Sequence, residues 1–310
     1  MNFLRSFSTA VTLGGVLIFA SSAAVAGTVT LSTTGVSAPV FSNYPVETGT
    51  LIGWGGEFQG TETGTALSHY YNSLPGDSVT AGTFTTFCVE LDQDISAGTS
   101  YQYSVSNSLD FPGTSTTEAL TLGVAYLYSQ FVEGTLGAGT SVAYDYATST
   151  MLSGSAPTTE PSLSGLTVGS AAYNLALAQI NSQNIQDAIW DLQGENLSSG
   201  TTDLNPGVID AATSLSNPFI ELVAQKFGTN GYTIGGSTSL EEAALNNALV
   251  ASNGAYNVHV MNLTSGGVSV QDQLIMTAPD GGSTLALLGA ALLGMLAIGR
   301  RSINARRQRA

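Results

Sequence analysis

The chain has 310 residues with one cysteine, two histidines, 22 acidic residues and 7 basic ones, a formal net charge of −15. One cysteine excludes an internal disulfide, and two histidines with one cysteine lack any metal-ligand spacing. Residues 27–277 hold 21 of the acidic residues and a single lysine, Lys226, so this part carries a net charge of −20 that repels nucleic acid and anionic headgroups.

The first 26 residues combine Arg5, an apolar run over 11–20 and the small-x-small site Ala24-Val25-Ala26, which predicts a secretory signal peptide cut after Ala26. Residues 27–277 predict an α+β fold: a β-rich extracellular domain with several packed helices. Its early part, with TVTL and TLIGWGG between turn formers, reads as strands. TFTTFCVEL alternates Phe84, Thr86 and Cys88 against Thr85, Phe87 and Val89, a strand buried on at least one face. YQYSVS, with Tyr101, Tyr103 and Val105 on one side, is another.

The period then lengthens. Leu120, Val124, Leu127 and Phe131 fall at helical spacing, with Thr116 or Thr117 as the cap and Gly134 as the stop. NIQDAIWDLQG predicts a second helix ended by Gly194, and Asn217-Pro218 opens a third that runs to Phe227. SLEEAALNNALVAS predicts a fourth, while 149–170 reads as loop. YNVHVMNL, a Gly-Gly turn and VSVQDQLIM predict a terminal hairpin.

Residues 285–298 are almost unbroken apolar sequence followed by Arg300, Arg301, Arg306, Arg307 and Arg309. A helix over 283–299, at about 1.5 Å per residue, makes a short span for a hydrocarbon core of about 30 Å. The arginines place the tail in the cytoplasm. The expectation is therefore an exported chain, held in the cell envelope and membrane-anchored at least transiently through 283–299, with most of it extracytoplasmic.

Cys88 carries the chemical question. A buried inert thiol, an intermolecular disulfide, a catalytic nucleophile and an internal thioester to a glutamine are all open. The nucleophile has only His69 and His259 as candidate bases, neither in a nucleophile context. Glu90, Asp92 and Asp94 alternate along one face, read as solvated or as a divalent-cation surface. His69-Tyr70-Tyr71 suggests an aromatic cluster or a sugar-binding surface, and no carboxylate spacing marks a hydrolase. No enzyme activity, cofactor or metal is expected.

Two stretches, FCVEL at 87–91 and IQDAIW at 185–190, resemble the paired motifs of bacterial surface thioester domains. The resemblance implies a Cys88–Gln186 thioester, with Phe87 and Trp190 supporting its pocket, open to attack by an amine-bearing surface ligand. The tail resembles a PEP-CTERM-type sorting signal, with Pro279-Asp280-Gly281-Gly282 in place of Pro-Glu-Pro ahead of the apolar span and arginines. That implies an exosortase-type processing enzyme as partner and association with extracellular polysaccharide. The resulting divisions are 1–26 signal peptide, 27–277 thioester-like domain and 278–310 sorting signal. The functional expectation is an adhesive surface or matrix protein acting through the thioester; the alternative is a non-covalent polysaccharide-binding or purely structural protein with an unlinked cysteine.

Overall fold

The structure, a computed structural model, describes residues 26–33, 38–41, 51–55, 57–63, 82–90, 95–110, 117–138, 144, 162–194, 217–228 and 238–277. The predicted signal peptide up to residue 25, and everything from 278 onward, lie outside the described residues.

The principal sheet is antiparallel and seven-stranded. Its strands are β1 (Ala26–Thr33), β4 (Phe58–Glu62), β5 (Thr83–Thr86), β6 (Ser100–Ser106), β9 (Val258–Ser265), β10 (Val268–Ser269) and β11 (Gln273–Met276). Their order is β10-β9-β6-β1-β4-β5, with β11 also paired to β9. Two small antiparallel pairs stand apart, β2 (Ala38–Phe41) with β3 (Leu51–Gly55) and β7 (Ser108–Asp110) with β8 (Thr117–Ala119). The alternation predicted for YQYSVS holds: Tyr101 and Tyr103 are buried while Ser100 and Gln102 are exposed. In β9, Val258 and Val260 face the large core, and Met261 and Leu263 join a second cluster with Val29, Leu31, Phe84, Tyr101, Tyr103 and Ile275. That second cluster draws on β1, β5, β6, β9 and β11, so the open sheet curls around its own side chains.

Among the described residues, four helices supply most of the rest of the large core: α1 (Leu122–Val132), α2 (Ala171–Gln193), α3 (Pro218–Phe227) and α4 (Thr238–Ala248). Each predicted helix is present, α3 with the predicted ends and α1 and α2 with altered starts. α1 starts later than expected because Thr117–Ala119 pairs with β7, and Thr121 caps the helix by accepting the Val124 N–H. Pairing with the preceding strand thus overrides a local capping signal. α2 begins at Ala171, capped by Ser170, well ahead of the predicted start, and Gly194 ends it in the left-handed conformation at φ 89°. Asn217 caps α3 with proline at its first turn, as predicted. The terminal hairpin forms, but its second arm is interrupted between β10 and β11. The register slips by one residue there, from Ser269 opposite Thr264 to Gln273 opposite Met261, which marks a bulge.

One expectation about the fold is corrected. The architecture is α+β with open sheets and several helices, and no helix among the described residues is long and apolar enough to cross a membrane. α2, at 23 residues, is long enough, but it carries Asn174, Gln179, Asn181, Gln183, Gln186, Asp187 and Asp191. The predicted span at 283–299 and the Pro279–Gly282 motif lie outside the described residues. The transmembrane helix, the membrane-anchored location and the exosortase partner rested on that tail; with no membrane-crossing helix among the described residues to carry them, all three are set aside.

One close approach in the sheet is testable. Gly60 lies opposite Phe84, and a Cβ added at Gly60 would sit 2.3 Å from the tip of the Phe84 ring. Gly60→Ala is expected to destabilise by about 1–3 kcal/mol through overpacking. In urea denaturation this reads as a lowered midpoint, while Gln59→Ala, at an exposed neighbouring position, shifts stability by under about 0.5 kcal/mol.

Candidate functional site

The chain beyond β5 continues to a bridge at Cys88 and bends at Val89, and Phe87, Cys88, Val89 and Glu90 are all fully buried. It runs beside β11, which belongs to the opposite end of the sheet. Leu274 N–H donates to the Phe87 carbonyl at 3.1 Å and Val89 N–H to the Asp272 carbonyl at 3.0 Å. Cys88 and Gln273 face each other between these bonds as an antiparallel bridge. The two ends of the sheet therefore meet in a short seam with Cys88 at its centre. In this kind of pair the opposed side chains approach closely, and Gln273 Nε2 donates to Cys88 Sγ at 3.3 Å.

The same geometry turns the N–H and C=O of Cys88 away from β11, where burial makes an unpaired amide costly. Gln186, on α2, meets both: its Oε1 accepts the Cys88 N–H at 3.1 Å and its Nε2 donates to the Cys88 carbonyl at 2.7 Å. One carboxamide thus does what a neighbouring strand would do. Gln193, seven residues later and so on the same helical face, repeats the arrangement. Its Oε1 accepts the Thr121 N–H at 3.1 Å, and its Nε2 donates to the Ala119 carbonyl at 3.1 Å and to Glu118 Oε1 at 2.9 Å. Burial raises the Glu118 carboxyl above its ordinary pKa, and the Gln193 bond pulls it partly back.

The structure brings Cys88, Gln186 and Trp190 together and places Phe87 elsewhere. Trp190 packs with Cys88 and Phe58. Phe87 points into the large core, edge-on to Phe131 at 4.9 Å. Trp190 Nε1 is buried without a hydrogen-bond partner, a desolvation cost of about 1–3 kcal/mol. The implied thioester is overturned. Gln186 directs its carboxamide at the Cys88 backbone, the thiol accepts from Gln273, and Cys88 is a buried cysteine with no covalent link. The physical reason is the demand of a buried strand end for main-chain partners.

A second group beside the seam was missed in the sequence. Glu90, read there as part of a solvated face, is fully buried; Asp92 and Asp94 lie outside the described residues. Glu90 Oε2 accepts the Asp272 N–H at 3.0 Å, and the Glu90 carbonyl accepts from Gln271 Nε2 at 2.6 Å. Asp272, also fully buried, fills the bulge between β10 and β11. Its Oδ1 accepts the Leu263 N–H at 3.1 Å, and its Oδ2 accepts from Asp110 N–H and Asn262 Nδ2, each at 2.9 Å. Burial pushes the Asp272 carboxyl up to about 7 despite these three bonds, and the nearby Asp110 charge adds to the rise. The available signal was the unbroken pattern VQDQLIM, in which an acid interrupts an otherwise strand-like arm.

No group of three or more His, Cys, Asp or Glu side chains among the described residues could hold a metal ion. His69 lies outside the described residues, and His259 Nδ1 is 2.7 Å from Asn107 Oδ1, its pKa lowered by burial. Comparison with protein-family models, with curated proteins and with solved structures yields no match, so none identifies the chain as an exosortase-sorted or thioester protein.

The seam sets an order of mutational costs. Gln186→Leu leaves the Cys88 N–H and C=O without their carboxamide and is expected to cost about 2–5 kcal/mol. Cys88→Ala removes one small buried atom and is expected to cost about 1 kcal/mol. Equilibrium urea unfolding of the two variants checks the order; a crosslink essential to the fold would instead make the two losses equal.

Proposed function

We propose that this chain is a non-enzymatic structural protein in which Cys88 is an unlinked packing residue. The observation that carries this reading is the use of the Gln186 carboxamide. Both of its hydrogen-bonding atoms are committed to the main chain of Cys88, so the side chain works as a clamp between α2 and the seam. Nothing in this arrangement calls for a cofactor or a transferable group, and the chemistry of the cluster is that of a polar tie inside a core.

The choice between a structural role and a polysaccharide-binding one is guided by the tyrosines. A sugar platform needs aromatic faces open to solvent. Among the described residues, Tyr101, Tyr103, Tyr128 and Tyr144 are buried, and Tyr126, Tyr173 and Tyr256 are half-buried. Tyr126 is taken up by Phe227, Tyr256 and the Lys226 ammonium, which lies 5.4 Å from its ring centroid. All of these rings but Tyr173 are buried or packed against the core, which supports the structural reading; Tyr70 and Tyr71 lie outside the described residues.

Intact-mass measurement of the purified chain, with and without methylamine, tests the proposal. The expected result is the unmodified mass in both samples, with one thiol that reacts slowly in the native protein and fully after denaturation. A mass lower by one ammonia, with methylamine taken up at Gln186, would overturn it.

A further inference from the structure

The carboxylates at the seam have no use in the structural role as described, and their surroundings are unusual. Asp272 ties three segments: its side chain binds Leu263 and Asn262 of β9 and the Asp110 N–H of β7, and its own N–H binds Glu90 of the segment that carries Cys88. The charged groups that face it are themselves acids, Glu90 from the 87–90 segment and Asp110 from β7. β9 contributes only neutral donors, Leu263 N–H and Asn262 Nδ2. Lys226, the sole Lys or Arg among the described residues, is occupied over Tyr126. A fully buried carboxylate so placed meets dipoles and like charge, with no Lys or Arg among the described residues to offset its desolvation.

The oxygens have room for a proton. Oδ2 already takes two donors and Oδ1 takes one, which leaves a lone pair on Oδ1. Protonation there removes the buried charge while the three existing bonds stay in place.

We propose that Asp272 is a proton-controlled latch on the seam: protonated, it locks residues 87–90 against 271–274, and charged, it lets that segment loosen and uncover Cys88. The sign follows from linkage. The carboxyl titrates near 7 when the seam is closed and near its ordinary value of about 3.9 when the seam opens to water. Between these values opening releases a proton, so the opening constant rises by up to about tenfold per pH unit and levels off above about pH 7. The seam is tightest in mild acid.

Native-state hydrogen exchange of the Val89 and Leu274 amides, corrected for intrinsic rates, reads this directly. Both donate across the seam. In the wild-type chain their protection is expected to fall by about tenfold per unit between pH 5 and pH 7. Protection of the Ala125 amide, bonded to Thr121 inside α1, falls less. Asp272→Asn is expected to flatten the seam profile, and Glu90→Gln to keep its slope. A flat wild-type profile would refute the latch, as would equal loss at all three amides or a slope that disappears in Glu90→Gln and survives in Asp272→Asn. If Asp272→Asn does not fold, the contrast between the seam amides and Ala125 in the wild-type chain still decides. The amide readout does not depend on the state of the thiol, so its failure is separable from that of the structural role proposed for Cys88.

Discussion

A buried strand end must find partners for its N–H and C=O groups on both sides, and at Cys88 this requirement organises the molecule. On one side the partner is β11, which brings the two ends of a curled sheet together through Phe87–Leu274 and Val89–Asp272 bonds. On the other side there is no strand, and the carboxamide of Gln186 takes its place. Because Gln186 sits on α2, satisfying one residue's backbone also fixes the longest helix among the described residues against the sheet. Gln193 does the same at the start of α1. Two side chains on one helical face therefore set the relation of helices to strands.

The charge composition explains the other polar feature of the interior. With 21 acidic residues and one lysine between 27 and 277, the buried carboxylates among the described residues are met by neutral N–H and O–H donors. Glu90 and Asp272 both receive main-chain donors, and Tyr103 and Tyr144 hydroxyls donate to the buried Glu62 and Glu57 at 2.7 Å and 2.6 Å. Dipoles satisfy hydrogen-bonding valence without cancelling charge. Desolvation therefore dominates at Asp272, and the fold is expected to sense protons at that place.

Much of the fold was legible in the sequence, because apolar period and capping chemistry are local. The spacing of Val124, Leu127 and Phe131, the Asn217-Pro218 start and the Gly194 stop each state a helix without reference to the rest of the chain. The start of α1 was misread because β8 exists only through β7. The site was legible in part: the motif resemblance picked out Cys88, Gln186 and Trp190, which do converge, but it assigned Gln186 to the thiol where the fold assigns it to the backbone. Gln193, Gln273 and Asp272 passed unnoticed because a polar residue within an apolar pattern looks the same whether it faces water or a buried amide. Glu90 was misread for a related reason, since charge ordinarily signals solvent.

By itself the sequence determined the class of most elements, most of the helix ends, the acidity of the chain and the absence of any internal disulfide. These follow from composition and from interactions within a turn or two of helix. Only the tertiary structure decided that the sheet ends meet at Cys88 and Gln273, that Gln186 acts as a strand surrogate, and that two carboxylates are sealed beside the seam. Each of these joins residues far apart in the chain, such as Cys88 and Gln186 or Glu90 and Asp272, and which distant group satisfies a buried amide or acid is settled only when the packing that excludes water is complete.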